Sequence, residues 1–228
     1  MSNVWDTLAK IQVYFESALN NYGTEIQEPG LDKFNQPAWI NKVWTSEVFR
    51  RAHLCVVDAR ETKGVWMMHC CIFPHIHNPA PIFGFDVVAG KNKITGCFVD
   101  YSPAGDPYHP LLEWFGQITH DLLWKKTREL PEWGKRIFSE NMVAASNVQT
   151  DLELQQIYDV ATNGIEYYLV DVGDTNDTAD DTAESQNLYT SNQKLNPHTP
   201  KVMTSLGLFD DDVTTFINEC LFPSIIKV

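Results

Sequence analysis

The sequence predicts an α+β fold, an antiparallel sheet covered by helices. Three observations lead there. Short apolar runs rich in aromatic and β-branched residues cluster in the first half, at 39–44, 49–57, 65–73, 82–89 and 94–100. Pro, Gly and Asn punctuate them at turn-like spacing. Stretches with helical periodicity lie outside that cluster, at 4–19, 111–126, 150–170 and 201–226. Strands and helices that segregate, rather than alternate, argue for an antiparallel sheet.

The elements follow in order. Residues 4–19 place Val4, Leu8, Ile11, Phe15 and Leu19 on one helical face, and 20–37 reads as a polar loop. In 49–57, Arg51, His53, Cys55 and Val57 alternate with Leu54 and Val56. A turn near Glu61 and Thr62 brings this strand beside 65–73, with Cys55 near His69. Pro74 and Pro81 bound the next loop, and neither can donate to a ladder. A loop symmetric about His77 and Asn78 puts His69 opposite Asp86, with Cβ atoms roughly 4.5–5.5 Å apart on one face. Met67, Cys71, Gly84 and Val88 share that face. Pro131 is expected to break any helix around it, and 137–145 reads equally as strand or helix. Thr150 is a plausible N-cap for the helix that follows. Residues 171–191 read as an acidic mobile loop and 192–200 as irregular, before a helical stretch ending in an apolar tail.

The chain has 228 residues, of which 43% are hydrophobic, with seven Trp, twelve Phe and eight Tyr, enough for a sizeable core. No run suits a bilayer span, and the N-terminal MSNVWDTLAK carries no secretory pattern. Five Cys without regular spacing fit a reducing cytoplasm better than a disulfide scaffold. A net charge of −13 disfavours non-specific nucleic-acid binding. Much of it sits between Asp171 and Glu184, however, and basic residues gather elsewhere, at Lys91, Lys93, Lys125, Lys126, Lys135 and Arg136.

Two titratable residues inside apolar strands, His69 and Asp86, are the chemical candidates. Facing each other, they can hold and exchange a proton, although such a pair also occurs as a purely structural link. His69, Cys70, Cys71, His75 and His77 invite a metal reading, but a strand sends alternate residues to opposite faces and no zinc spacing appears, so no metal is expected. The sequence contains no GxGxxG, GxxxxGK[ST] or GxSxG motif.

The run HCCIFPHIHNPAPIFGFDVVAG, the preceding FRRAHL and the later RELPEWGKRIFSE resemble the ferredoxin-dependent bilin reductases, most nearly the phycocyanobilin-forming branch. The resemblance extends from about residue 40 to the C-terminus. It implies one domain over 1–228, a three-layer α/β/α sandwich, biliverdin IXα held between the sheet and the C-terminal helices, and no bound metal or flavin. Reduced ferredoxin would supply electrons singly in a radical mechanism, docking on the basic patch, with a monomer expected. His69 and Asp86 match the family's central proton-donating His and Asp. Asn196 matches a catalytic-site Asn where many members have Asp. Arg128, Thr95 and Thr199 match propionate-binding positions, while His198 stands where related enzymes carry Lys. Val202 would line the substrate. His53 would lie below the bilin plane in a structural or water-relay role.

One departure matters for the product. Phycocyanobilin-forming members carry Glu two residues after the first His, as the proton donor for the D-ring vinyl group. Here the run is His53, Leu54, Cys55, and a thiol is a weak acid. The resemblance then implies phycoerythrobilin through 15,16-dihydrobiliverdin, as in phage-borne relatives acting in a host cytoplasm. Phytochromobilin or phycocyanobilin are the alternative products. A bilin carrier or lyase is the alternative in a different class.

Overall fold

The computed structural model describes residues 3–122, 130–174 and 182–226. Among them the sheet has seven strands in chain order: β1 (Thr24–Ile26), β2 (Trp39–Thr45), β3 (Phe49–Ala59), β4 (Val65–Pro74), β5 (Ile82–Gly90), β6 (Lys93–Ser102) and β7 (Val143–Ala145). Every neighbouring pair is antiparallel. The register places Cys55 opposite His69 and His69 opposite Asp86, as the sequence predicts.

Strand alternation divides the sheet into two faces. Leu54, Val56, Met68, Cys70, Phe83, Phe85, Val87 and Val99 point to one side and are fully buried. They pack against α1 (Val4–Tyr22) and α6 (Asp151–Asp174), whose Phe15, Ile165 and Leu169 complete an apolar core. The ends of these helices are set by local chemistry. Asn3 caps α1 by accepting from the Trp5 N–H at 3.1 Å. Thr150 and Glu153 bond reciprocally at the start of α6, so two otherwise unpaired amides are satisfied. The opposite face carries Cys55, Met67, Cys71 and Phe73. Short helices cover it: α2 (Pro29–Asp32), α5 (Glu132–Lys135), α7 (Ala183–Gln193), α8 (His198–Leu206) and α9 (Asp210–Thr215), the last running into a π-helical stretch, Phe216–Leu221. The turn helix α3 (Arg60–Lys63) links β3 to β4, and α4 (Pro110–Thr119) follows β6. Helix, sheet and helix thus form the expected three layers.

Several elements differ from the sequence reading. The predicted loop at 20–37 holds β1 and α2. All three β1 residues are exposed, so backbone pairing rather than hydropathy makes the strand. The predicted helix 111–126 stops at Thr119, whose hydroxyl bonds back to the Phe115 carbonyl at 2.7 Å; residues 123–126 lie outside the described residues. Pro131 directly precedes a short helix, α5, where a missing N–H is no loss. Of the predicted mobile loop at 171–191, residues 171–174 end α6 and 183–191 belong to α7, while 175–181 lie outside the described residues. Hydropathy hides α7 because its inward face is polar and hydrogen-bonded. Gln186 accepts from Arg50 Nε at 2.8 Å and donates to the Pro74 carbonyl at 3.2 Å. The predicted irregular segment 192–200 contains the end of α7 and the start of α8. The terminal helix is interrupted at Gly207, which takes a left-handed φ of 109°.

One buried carboxylate ties β6 to the segment after α5. Asp100 is 3% exposed. Its oxygens accept from Ser102 Oγ (2.5 Å), Ser139 Oγ (2.5 Å) and the Ser139 N–H (3.1 Å). Burial pushes its carboxyl up to about 6 from 3.8, with the serine bonds pulling the other way. The folded chain therefore keeps this proton to higher pH than the unfolded chain. Folding stability should fall as pH rises from about 4 to about 6, by at most about 3 kcal/mol. Asp100→Asn should flatten a Tm-against-pH series across that window; an unchanged slope would count against this assignment.

Candidate active site

A cavity of about 830 Å3 lies between the second face of the sheet and its helical cover, near the upper end of the 300–1,000 Å3 range of ligand sites. Its floor is built by strand alternation. Cys55 comes from β3, Met67 and His69 from β4, Gly84, Asp86 and Val88 from β5, and Phe98 and Asp100 from β6. Its roof is Tyr189 and Gln193 from α7, Val202 and Met203 from α8, and Leu221 and Phe222. Trp133 and Phe138 close one side.

His69 Nδ1 and Asp86 Oδ1 are 2.8 Å apart. The pair is asymmetric: the His69 side chain is 7% exposed, whereas that of Asp86 is 48% exposed, so the carboxylate is the partner a ligand meets first. The His69 ring packs edge-on against Phe222 at 5.6 Å. Its Nε2 is buried with no hydrogen-bond partner among the described residues, and so is Nδ1 of His53. The two rings lie 6.3 Å apart. His53 Nε2 is bonded to Asn41 Oδ1 at 3.2 Å, an acceptor, so that nitrogen carries the hydrogen. Burial, with Arg51 and His69 nearby, holds the His53 ring well below its usual protonation range. His53 is therefore neutral and offers a bare Nδ1.

Most of the expected substrate residues converge here. Cys55, Thr95, Asn196, His198, Thr199 and Val202 all line the cavity with His69 and Asp86. Thr95 reaches the rim through a bulge: Ala89 pairs with Ile94 and Val88 with Gly96, which leaves Thr95 between them. Its hydroxyl donates to the Val88 carbonyl at 3.0 Å. Asn196 has a local task as well, since its Oδ1 accepts from the His198 N–H at 3.0 Å.

Two further expected site residues remain. His53 is fully buried and does not line the cavity; it stands one strand further along, on β3, behind His69. Arg128 lies outside the described residues, as do Lys125 and Lys126. Of the other basic residues, Lys135 lines the side of the cavity with Glu132, whereas Lys91 and Lys93 do not line it. Lys91 is in the tight turn between β5 and β6, Lys93 bonds Asn147 at 2.9 Å, and Lys135 pairs with Glu132 at 2.7 Å.

Cys55 is buried and accepts from Trp39 Nε1–H at 3.2 Å. Burial pushes its thiol up to about 12, so it keeps its proton near neutral pH and is a poor acid. The sequence reading missed Phe98 and Asp100, although period-two alternation along 94–100 could have placed them on this face. It also missed Tyr189, Gln193 and Phe222, for which no local signal exists.

Comparison with known proteins is consistent with this geometry. Residues 21–223 match the family described as ferredoxin-dependent bilin reductase. Phycocyanobilin:ferredoxin oxidoreductase of Synechococcus sp. (strain CC9605) is 30% identical over 171 residues, covering 72% of this chain and 67% of that protein. The protein of the same name from Prochlorococcus marinus (strain MIT 9313) is 31% identical over 175 residues, covering 72% of this chain and 62% of its own length. The matched stretch thus spans about two thirds of these relatives. Among solved structures, PcyX superposes with a TM-score of 0.70 at 33% identity, covering 96% of this chain and 99% of that one. Phytochromobilin synthase from tomato, in complex with biliverdin, superposes with a TM-score of 0.75 at 14% identity, covering 92% and 82%; that likeness concerns the fold alone.

Proposed function

Because the chain belongs to the family of ferredoxin-dependent bilin reductases, we propose that it reduces biliverdin IXα with electrons from ferredoxin, and that its product is phycoerythrobilin, formed through 15,16-dihydrobiliverdin. The observation that carries this reading is the His69–Asp86 pair open to a cavity whose neighbouring floor position, Cys55, holds no usable acid.

The reaction adds four electrons and four protons to the bilin. Electrons arrive singly from ferredoxin, so each radical intermediate must be met by a proton. The half-exposed Asp86 carboxyl faces the ligand and delivers it. His69 orients Asp86 and returns its proton. The buried Nε2 of His69, beside the neutral His53 ring, is where a replacement proton would reach the pair. Thr95, His198, Thr199 and Arg128 would hold the propionates near the mouth, with Arg128 supplying the fork-shaped cation. Asn196 and Val202 shape the roof over the rings. With no carboxylic acid at position 55, the D-ring vinyl group stays unreduced. Ferredoxin would dock on Lys91, Lys93, Lys125, Lys126, Lys135 and Arg136, which makes turnover salt-sensitive.

One assay tests the whole reading: anaerobic turnover of biliverdin with reduced ferredoxin, products separated against bilin standards, repeated at rising salt. The expected result is phycoerythrobilin at a rate that falls with salt. Phycocyanobilin would overturn the role given to Cys55, a flat salt profile would overturn electrostatic docking, and tight binding without reduction would make the chain a carrier.

A further inference from the structure

We propose that Tyr189 is a substrate-touching residue, its hydroxyl donating a hydrogen bond to a carbonyl oxygen of the bilin at the cavity floor, with Gln193 as its positioning residue. The proposal rests on the bilin reading above and names a contact within that site.

Tyr189 stands on α7 and is 3% exposed. Its ring meets Phe73 edge-on at 6.0 Å, which aims the hydroxyl down onto β5. The phenol oxygen comes within 3.5 Å of the place a side-chain carbon would occupy on Gly84. Gly84 is two residues from Asp86 on the same face, so the hydroxyl lies about 7 Å along the strand from the proton-donating pair. The missing side chain at Gly84 leaves the phenol standing as part of the floor.

The hydrogen bonds around this oxygen are one-sided. Gln193, one helical turn further on, donates Nε2–H to it at 2.9 Å. The phenol is thereby an acceptor toward α7, and its own hydrogen must point elsewhere. The other polar neighbour among the described residues is Cys71 Sγ at 3.9 Å, a weak partner at long range. Burial, with Cys71 beside it, holds the phenol far above its usual dissociation range, so it remains an O–H donor at any working pH. A donor on a cavity wall with no good acceptor is costly until a ligand supplies one. The chemistry selects a neutral acceptor. A carboxylate is better served by the basic and hydroxyl residues at the mouth, whereas a lactam carbonyl can reach the apolar floor.

The test is Tyr189→Phe, which keeps the ring and removes only the O–H. Biliverdin is titrated into wild type and variant, and the carbonyl stretching bands of the bound pigment are recorded by infrared difference spectroscopy. The expected result is a Kd raised about threefold to tenfold and a carbonyl band moved to higher frequency. Gln193→Leu should broaden that band, with a smaller rise in Kd, because the phenol loses its orientation. Equal Kd and an unmoved band in Tyr189→Phe would overturn the proposal while leaving the bilin reading intact. Failure of the wild type to bind biliverdin would overturn both. If Tyr189→Phe does not fold, an unaltered band in Gln193→Leu would by itself overturn the oriented donor.

Discussion

Asp86→Asn should bind biliverdin and fail to reduce it. The amide has the volume of the carboxylate and keeps an oxygen that can accept from His69 Nδ1–H, now 2.8 Å away. The floor of the cavity and its register with β4 are untouched. What is lost is a group that can hold and release a proton where the ligand meets it. Removing a positioned acid typically costs 10²–10⁴-fold, and this reaction calls on it repeatedly. Turnover should therefore drop at least about a hundredfold, with the biliverdin Kd changed by less than about threefold. One-electron-reduced pigment should accumulate and be visible by electron paramagnetic resonance. Turnover within tenfold of wild type would mean that another group protonates the ring system.

Cys55→Glu should change the product rather than the rate, adding phycocyanobilin to the phycoerythrobilin peak or replacing it. Position 55 faces His69 across the ladder and lines the same cavity. The native thiol is pushed up to about 12 and has no proton to give. Glu carries a carboxyl farther from the strand, into the open space above the floor, where it can protonate a vinyl radical. The exchange also removes the acceptor of Trp39 Nε1–H, so some stability is lost, on the order of 1–3 kcal/mol. Retained biliverdin binding separates that loss from the chemistry. An unaltered product with binding intact would show that the D-ring vinyl does not lie over position 55.

The centre of the site was legible in the sequence because it is a matter of strand register. Two prolines flanking one loop and period-two alternation were enough to pair His69 with Asp86, and the bilin-reductase motifs supplied the chemistry that periodicity alone left open. The cover was not legible. α7 buries Gln186, Thr190, Asn192 and Gln193, so its inward face carries amides and hydroxyls that hydropathy assigns to solvent. Its anchors lie far away in the chain: Gln186 meets Arg50, the extra residue at an irregularity in β3 whose guanidinium stacks 4.5 Å over Phe73. The roof contacts of Tyr189 and Phe222 likewise depend on long-range docking. The Asp100 clasp escaped notice because Ser139, which supplies two of its three hydrogen bonds, comes from a distant segment of the chain.

The alternation that divides the sheet has a consequence for how such a protein diversifies. Along β3, β4 and β5, residues 54, 56, 68, 70, 83, 85 and 87 build the sealed core, while 55, 67, 69, 84, 86 and 88 face the cavity. Each core position has a neighbour one residue away that faces the cavity and its helical cover instead of that core. Selection can therefore explore the second set while the first stands still, and a new product specificity need not wait for a new scaffold. Cys55, lying between Leu54 and Val56, is one place where that freedom has room to act.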